Sequence, residues 1–203
     1  KALKSKLFRK IILVVNNKKQ IKDKFTKNVI IIKGGKERSD SSLIALKYIK
    51  KFKPKNVLIH DAARPNFSLK LLNSILNKIK KSRAVVPKID IQDAVKQRIE
   101  SSLSEYILGK SRDDLFLTQT PQAFKLKEIY HLHKNNSDKY KDDDISLYMD
   151  LNEIKFIKGE KNNFKITDLE DFKKLKDIFK SKQTVGIGFD VHRLVPKRKL
   201  YLA

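Results

Sequence analysis

The segment Val57–Pro65 reads VLIHDAARP and joins a short apolar run to a carboxylate and a guanidinium. Ligands in open α/β sheets bind beyond the carboxyl ends of the strands, so Asp61 could hold Mg²⁺ there, and the small Ala62 would let a base or ribose approach the backbone. Pro65 disfavours helical geometry at Arg64 and helps to fix the direction of its guanidinium. The pattern is equally compatible with a strand end that carries a structural Asp–Arg pair.

The segment Gly34–Ser42 reads GGKERSDSS and lies between an apolar run and a helical pattern. Its two glycines permit a tight turn, and its hydroxyls and Asp40 can cap the helix that follows. Backbone and hydroxyl donors at such a turn could also hold a nucleotide. Because glycine turns and Ser/Asp caps are common in α/β proteins, capping is the favoured interpretation of this segment by itself.

Three further stretches contain side chains that could join the same site. They read TQTPQAF at Thr118–Phe124, DDDIS at Asp142–Ser146 and NFKIT at Asn163–Thr167. Each has a simpler interpretation, since the proline segment can be a turn, the aspartates can be a solvated helix start, and Lys165 is one lysine among many.

The histidines differ in what their spacing allows. In Val185–Leu194, which reads VGIGFDVHRL, Asp190 and His192 are two residues apart, so both side chains would project from one face of a strand, as a metal pair requires. An exposed strand with one histidine is the alternative. His131 and His133 are two apart on a predicted helix, so they diverge, and we expect both to be solvated.

Apolar runs that are typical of buried strands alternate with amphipathic helices in the first half of the chain. The runs are Ile11–Val15, Val29–Ile32, Val57–Ile59 and Ala84–Val86. Apolar residues at helical spacing follow at Leu43–Ile49 and at Leu69–Ile79. This alternation predicts an α/β fold with a mainly parallel sheet that is covered on both faces.

The second half of the chain has a less regular pattern. The alternating polar stretch Asp90–Arg112 predicts a hairpin arm that projects from the sheet, and Leu117–Phe124 is typical of an extended segment. Further expected elements are a helix at Leu126–Lys134, strands at Ile154–Ile157 and Asn163–Thr167, a helix at Asp168–Phe179 capped by Thr167 or Asp168, and a linker at Ser181–Thr184.

The composition of the 203 residues excludes several classes of protein. Cysteine is absent, which rules out a disulfide framework and a thiolate metal site, and we expect a cytoplasmic setting. The longest apolar run near the start, Ile11–Val15, is too short to span a bilayer. The formal net charge of +24 would suit nucleic-acid binding, but lysine greatly outnumbers arginine and is spread over every segment, so a nucleic-acid interface is disfavoured.

Taken together and in this order, the segments GGKERSDSS, VLIHDAARP, TQTPQAF, DDDIS and NFKITDLEDF resemble the 2-C-methyl-D-erythritol 4-phosphate cytidylyltransferase family of the non-mevalonate isoprenoid pathway. The resemblance runs from about Ile11 to Phe179. It implies a Rossmann-like nucleotidyltransferase fold and a homodimer. It also implies transfer of a cytidylyl group from CTP to 2-C-methyl-D-erythritol 4-phosphate, with Mg²⁺ as cofactor and pyrophosphate as product.

Carried over position by position, the resemblance implies roles for named residues. Asp61 would bind Mg²⁺. The nucleotide-binding residues would be Arg38, Ser41, Ala62 and Arg64. Two residues would be catalytic: Lys165 near the transferring phosphate, and Arg112, which would contact the methylerythritol phosphate from the partner subunit. Asp142 would bind the same substrate, although a threonine is common there, and Lys36 stands where a carboxylate is common.

The tail resembles a second family of the same pathway. GIGFDVHRL is similar to the opening of the 2-C-methyl-D-erythritol 2,4-cyclodiphosphate synthases. The resemblance implies that Asp190 and His192 bind Zn²⁺ or another divalent metal together with a histidine that would follow Ala203. We therefore predict a cytidylyltransferase domain at residues 1–182 and the first strand of a synthase domain at residues 183–203, both from a bifunctional enzyme.

The first resemblance also implies parts that the 203 residues do not contain. The cytidylyltransferase family begins with a glycine-rich loop whose arginine and lysine cradle the triphosphate, and no segment here matches it. We expect the first strand and this phosphate loop to precede Lys1, and we expect the fragment by itself to bind CTP poorly.

Two alternatives to this enzyme remain at the level of sequence. One is an inactive or RNA-associated basic α/β protein that has kept a nucleotidyltransferase scaffold. The other is a cytidylyltransferase for a different alcohol phosphate, such as ribitol phosphate, which the synthase-like tail disfavours. Fold alone would not separate these substrates.

Overall fold

The computed structural model describes residues 2–17, 19, 21, 28–100, 105–135, 143–148 and 152–180. The chain divides into two compact units, Lys1–Thr167 and Asp168–Ala203. All of the described strands lie in the first unit, and the second unit contributes one described helix.

The described elements follow the sequence pattern closely in the first half of the chain. The strands are β1 (Ile11–Val15), β2 (Val29–Lys33), β3 (Asn56–Ile59), β4 (Ala84–Asp90), β5 (Val95–Glu100), β6 (Glu105–Lys110), β7 (Phe116–Thr118), β8 (Gln122–Lys125) and β9 (Ile154–Lys158). The α-helices are α1 (Ala2–Ser5), α2 (Arg38–Ile49), α3 (Leu69–Lys78), α4 (Leu126–Asn135) and α5 (Leu169–Lys180). Short 3₁₀ turns lie at Lys50–Phe52, Arg112–Asp114 and Ile145–Leu147. No helix in the described part of the chain is long and apolar enough to cross a membrane.

The central sheet is mixed, which corrects the expectation of a mainly parallel sheet. β8 lies between β3 and β4 and is antiparallel to both, since Phe124 pairs with Val57 of β3 and with Ala84 of β4. β7 pairs antiparallel with the end of β4, and β9 pairs parallel with β4. Because Ala84 and Val85 each have a partner in β8 and another in β9, those two strands flank β4. The sheet is mixed because the chain reverses after β4 and returns along it as β7 and β8.

The predicted hairpin arm is confirmed. β5 and β6 form a two-stranded antiparallel ribbon in which Val95 pairs with Lys110. The arm connects β4 to β7, so it accounts for the reversal of the chain. The exposed Lys96 and Gln97 agree with a ribbon that lies outside the core.

Apolar side chains cover both faces of the central sheet, as the alternation of elements predicted. Successive residues of a strand point to opposite faces. Accordingly, Ala84 and Val86 of β4 join a cluster with α2 and α4, whereas Val85 joins a second cluster with α3. Leu72 and Ile75 are the almost fully buried residues of α3, three positions apart on one helix face.

The segment Asn163–Thr167 is a loop, so the expectation of a strand there is wrong. Ile166 donates its backbone N–H to the Ala63 carbonyl at 2.8 Å, which ties the loop to another loop and not to a neighbouring strand. Helix α5 begins as expected, because Asp168 Oδ1 accepts from the N–H of Asp171 at 2.8 Å and so caps the helix.

β1 and β2 form a separate parallel pair, and a cavity lies between this pair and the central sheet. Among the described residues, β1 pairs only with β2, and β3 pairs only with β8. The cavity has a volume of about 840 Å³ and is lined by side chains of β1, α2 and β3. Its lining also includes Arg38, Ser41 and Asp61, so it borders the residues singled out from the sequence.

Candidate active site

The turn after β3 presents Asp61 between two guanidinium groups. Asp61 donates its backbone N–H to Thr120 Oγ1 at 3.0 Å, which fixes the start of the turn. Its Oδ1 lies 3.5 Å from Arg38 Nε, and its Oδ2 lies 3.7 Å from Arg64 Nε. The side chain of Asp61 is 20% exposed, so a ligand can reach it. Arg38 of α2 is thus brought beside Asp61 and Arg64, two predicted site residues of the turn after β3.

Arg64 is held by the backbone as well as by Asp61. Its Nη1 donates to the carbonyl of Asn163 at 3.0 Å, and its N–H donates to the Asp61 carbonyl at 2.9 Å. Burial lowers the pKa of Arg64 and outweighs the charge of Asp61, but the group stays cationic because the ordinary pKa of an arginine lies far above neutral. The two interpretations of this segment, a structural Asp–Arg pair and an accessible carboxylate, are therefore compatible, because Asp61 contacts Arg64 and is also partly exposed. Ala62, between these residues, is exposed.

His60 connects the end of β3 to the neighbouring loops. Its Nε2 lies 3.0 Å from the Arg64 carbonyl, and its Nδ1 lies 3.0 Å from Thr120 Oγ1. Burial lowers the pKa of His60 and outweighs the hydrogen bond to Arg64 and the charge of Asp61. The neutral ring therefore donates from Nε2 and accepts the Thr120 hydroxyl at Nδ1. The histidine supports the turn that carries Asp61.

The loop that carries Lys165 docks against the same turn. The N–H of Ile166 reaches the Ala63 carbonyl at 2.8 Å. Asn163 is fully buried and donates from Nδ2 to the Thr120 carbonyl at 2.9 Å. The side chain of Lys165 is exposed. An accessible ammonium group is thus carried by a loop that is fixed to the Asp61 turn.

The turn at Gly34 and Gly35, before α2, packs closely against the first residues of that helix. A Cβ on Gly35 would lie 2.3 Å from Asp40 Cβ, and a Cβ on Gly34 would lie 2.6 Å from Ser41 Oγ. Asp40 Oδ2 accepts the N–H of Glu37 at 3.2 Å, which confirms its predicted capping role. Ser41 Oγ accepts the N–H of Gly35 at 3.2 Å and is only partly buried.

Asp144 and His133 form a buried pair that sequence reasoning missed. Asp144 Oδ2 accepts from Arg38 Nη2 at 2.6 Å, and its Oδ1 lies 2.9 Å from His133 Nε2. The expectation of a solvated His133 is therefore wrong, whereas His131 is exposed as expected. Burial acts to raise the pKa of Asp144, but the hydrogen bond from His133 and the charge of Arg38 lower it overall. The available signal was the spacing of His133 from Ile129 on the apolar face of α4.

Asp143 ties the DDDIS segment to the TQTPQAF segment. Its Oδ2 accepts from Thr118 Oγ1 at 2.6 Å and from Gln122 Nε2 at 2.9 Å. Its Oδ1 accepts from the Ser146 hydroxyl at 2.6 Å. The alternative of a solvated helix start is therefore wrong for Asp143 and Asp144, because both carboxylates are hydrogen-bonded within the fold.

The contacts described above do not include the other predicted site residues. Arg112 is exposed, and its Nη1 donates to the Gln92 carbonyl at 2.8 Å, a contact at the base of the arm. Asp142, Asp190 and His192 lie outside the described residues. Their predicted roles in substrate and metal binding remain predictions.

The donor set at the turn fits a metal ion that is shared with a ligand. Within the described ranges, no group of three or more His, Asp or Glu side chains could hold a metal ion. Asp61 offers a single accessible carboxylate, and Mg²⁺ in phosphate-transfer sites is usually held by one or two carboxylates together with substrate phosphates. Guanidinium groups such as those of Arg38 and Arg64 bind phosphate oxygens well. The site therefore suits a metal-bound polyphosphate.

A family model and several curated proteins match most of the chain in sequence. The family model described as 2-C-methyl-D-erythritol 4-phosphate cytidylyltransferase, IspD, matches residues 1–181. A bifunctional enzyme IspD/IspF of Pelagibacter ubique is 48% identical over 197 residues, which cover 96% of this chain and 51% of the relative. One of Lawsonia intracellularis is 37% identical over 181 residues, which cover 84% and 43%. The chain spans about half the length of the curated relatives it matches.

Solved structures agree with the sequence comparison. The 4-diphosphocytidyl-2C-methyl-D-erythritol synthase of Anaerococcus prevotii has a TM-score of 0.75 at 29% identity, covering 88% of this chain and 82% of that chain. The bifunctional IspDF of Campylobacter jejuni has a TM-score of 0.67 at 29% identity, covering 82% of this chain and 42% of that chain. The chain belongs to the 2-C-methyl-D-erythritol 4-phosphate cytidylyltransferase family.

Proposed function

We propose that this chain forms the transferase part of an enzyme that moves a cytidylyl group from CTP to 2-C-methyl-D-erythritol 4-phosphate and releases pyrophosphate. The observation that carries the proposal is the accessible carboxylate of Asp61 between Arg38 and Arg64. Such an arrangement suits a triphosphate with a bound metal. The family description names the acceptor and the cytidylyl group that is transferred, and CTP is the proposed donor of that group.

In this proposal the nucleotide binds along the border of the cavity. Arg38 and Arg64 contact phosphate oxygens, while Ser41 and the exposed Ala62 face the cytidine. Asp61 holds the metal. When bound, Mg²⁺ supplies positive charge that offsets the charge of the triphosphate.

The acceptor enters from the side of the Lys165 loop. An oxygen of its phosphate attacks the α-phosphorus of CTP in line, and the bond from that phosphorus to pyrophosphate breaks. Lys165 stabilises the negative charge on the transferring group. Arg112, carried by the arm, binds the acceptor phosphate in the site of the partner subunit of a homodimer, and Asp142 contacts the same substrate.

The cavity between β1 and β3 supports the proposal that the fold includes a further strand. Both strands have an edge without a described partner strand, and apolar side chains line the space between them. A strand inserted there would pair with β1 and β3, and a loop at its end would lie near Arg38 and Asp61. We propose that a segment preceding this chain supplies that strand and the phosphate loop.

We also propose a second catalytic domain that begins at residue 183, after a transferase domain at residues 1–182. The relatives of twice this length are named as bifunctional, and the tail contains Asp190 and His192 at the spacing of a metal pair. These two residues would hold Zn²⁺ or another divalent metal when the domain is complete. A cytoplasmic homodimer completes the proposed arrangement.

The variant Lys165→Ala tests the proposed function in the natural full-length enzyme. Removing one preorganised cation from the transferring group should lower kcat by about a hundredfold and leave the melting temperature almost unchanged, because the side chain is exposed. Lys155→Ala, an exposed lysine of β9, is the matched control and should keep wild-type turnover. Pyrophosphate release from CTP and the acceptor is the measurement.

The proposed function fails if the wild-type enzyme releases no pyrophosphate with these substrates. The proposed role of Lys165 alone fails if the wild type is active and Lys165→Ala retains its kcat. Binding of RNA that weakens with salt, without CTP turnover, would instead indicate the RNA-associated alternative.

A further inference from the structure

A line of charged and polar side chains extends from Asp61 into the interior. Arg38 lies between Asp61, at 3.5 Å from Nε, and Asp144, at 2.6 Å from Nη2. Asp144 in turn contacts His133 Nε2 at 2.9 Å. Helix α2 supplies the arginine, the residue before the 3₁₀ turn Ile145–Leu147 supplies the carboxylate, and α4 supplies the histidine.

The two carboxylate partners of Arg38 differ in exposure. The side chain of Asp144 is 0% exposed, whereas that of Asp61 is 20% exposed and lies farther from the guanidinium. Arg38 therefore has a short, buried contact on one side and a looser contact on the side that a ligand can reach. The contacts that Arg38 makes with these two carboxylates use Nε and Nη2.

The commitment of Nη2 to Asp144 limits how Arg38 can pair with Asp61. A guanidinium beside a lone carboxylate tends to form two parallel hydrogen bonds, here from Nε and Nη2. Nη2 has two N–H groups, but its short 2.6 Å bond draws it toward the buried Asp144, and the contact of Arg38 with Asp61 is from Nε at 3.5 Å. A bidentate Arg38–Asp61 pair would occupy the carboxylate that the proposed site needs for its ligand.

A buried carboxylate is a costly way to stabilise a fold. Removing a carboxylate from water carries a desolvation penalty that an apolar side chain of similar size avoids. Here the penalty is offset by two partners, and their combined effect keeps the pKa of Asp144 low in spite of burial. His133 donates the second of these contacts, so it helps to hold the carboxylate ionised and directed at Arg38.

We propose that Asp144 and His133 are positioning residues that hold Arg38 beside Asp61 and prevent the two from closing into a bidentate pair. The inference rests on the proposed function and extends it to two residues that need not touch the nucleotide. These contacts of Asp144 with Arg38 and His133, the tether, keep Asp61 accessible and direct Nη1 of Arg38 toward the phosphates. Without it, the Arg38–Asp61 pair competes with the ligand.

Three variants of the natural full-length enzyme, compared with one control, test this inference by kinetics. Asp144→Asn should raise the KM for CTP and the Mg²⁺ concentration for half-maximal rate by about tenfold, with kcat changed by less than about threefold, because binding and not chemistry is impaired. Asp144→Glu retains the charge and should restore most of the loss. His133→Leu should raise the same KM by about threefold.

Glu128→Gln is the matched control. Glu128 is also the carboxylate partner of an arginine, Arg83, and its side chain is partly buried. Loss of this ion pair should lower the melting temperature without changing the KM for CTP. The inference is overturned if Asp144→Asn behaves like this control, because its role would then be structural.

A nuclear magnetic resonance measurement decides the matter independently of activity. In arginine-labelled enzyme, the Nε–H signal of Arg38, identified from its absence in Arg38→Lys, should shift and exchange with water at least about tenfold more slowly in Asp144→Asn, because closure onto Asp61 turns the loose Nε contact into a hydrogen bond. The same signal should be unchanged in Glu128→Gln. If the wild type does not turn over CTP, the proposed function fails, and the Arg38 signal then tests the positioning role by itself. A change in this signal in Asp144→Asn supports the positioning of Arg38 by Asp144, and an unchanged signal overturns it.

Discussion

Single residues of this site owe their charge states to burial and to fixed partners. His60 is kept neutral because burial lowers its pKa. Asp144 is kept ionised because His133 and Arg38 outweigh a burial effect of the opposite sign. Both groups support residues that a ligand could contact, so the electrostatics of the exposed turn depend on groups behind it.

Acid stability should depend on Asp144. Its pKa is lower in the folded chain than the ordinary value of 3.8, so its ionised form stabilises the fold. This contribution is fully present above the unfolded pKa and is lost as the pH falls through the folded pKa. We expect Asp144→Asn to be less stable than the wild type by about 2–4 kcal/mol at pH 7, with the difference shrinking below about pH 4.

Urea unfolding at several pH values between about 3 and 7 measures the difference in unfolding free energy between the two proteins. This interval spans the ordinary carboxylate pKa of about 4. A gap between the two proteins that stays constant over the whole range would contradict the assignment of the acid-sensitive contribution to Asp144.

At the scale of elements, the site depends on how closely the glycine turn approaches α2. The space beside Gly35 is occupied by Asp40 Cβ, an atom fixed by the helix backbone, and the cap from Asp40 to Glu37 sets where α2 begins. Since α2 carries Arg38 in its first turn, an error in this approach would move the guanidinium relative to Asp61.

Gly35→Ala should therefore destabilise the chain by about 1–3 kcal/mol, because the added Cβ would lie 2.3 Å from a carbon that cannot rotate away. Gly109→Ala on β6 is the control, since its added Cβ would meet only the flexible end of Lys96 at 3.6 Å. Chemical denaturation measures both changes. Equal stability of the two variants would show that the turn can relax, against the close-approach argument.

At the scale of the whole molecule, the first unit contains a β1–β2 pair and a central sheet, with an apolar cavity of about 840 Å³ between them. Among the described strands, β1 and β3 each have one edge at this cavity without a backbone partner of the kind that buried strands need. The cavity is therefore where we propose that a further strand is inserted.

Hydrogen exchange tests the proposed extra strand. In the natural full-length protein, the amides of β1 and β3 that face the cavity should exchange at least about a hundredfold more slowly than in this chain alone. The amides that bond β3 to β8 should change much less, because that ladder is already formed. Unchanged exchange at the cavity edges would contradict the proposal of an inserted strand.

The sequence by itself determined most of the segments that form strands and helices, with Asn163–Thr167 as an exception, because burial periodicity is a local property of the chain. It predicted β1 to β4, α2, α3, α4, the arm and the Asp168 cap, and the motif around Asp61 and Arg64 identified the turn where charged groups gather. Recognition of the family also came from the order of short motifs, and it was confirmed by the match over residues 1–181.

Only the tertiary structure decided which distant segments are neighbours. The antiparallel insertion of β8 between β3 and β4 depends on the path of the chain after the arm, which no local pattern encodes. Arg38 and Asp144 are 106 positions apart in the sequence. The segment that contains Asp144 also fits a solvated helix start. A polar residue reveals its burial only through its partners, so His133 and Asp144 became interpretable when the fold brought those partners within hydrogen-bonding distance.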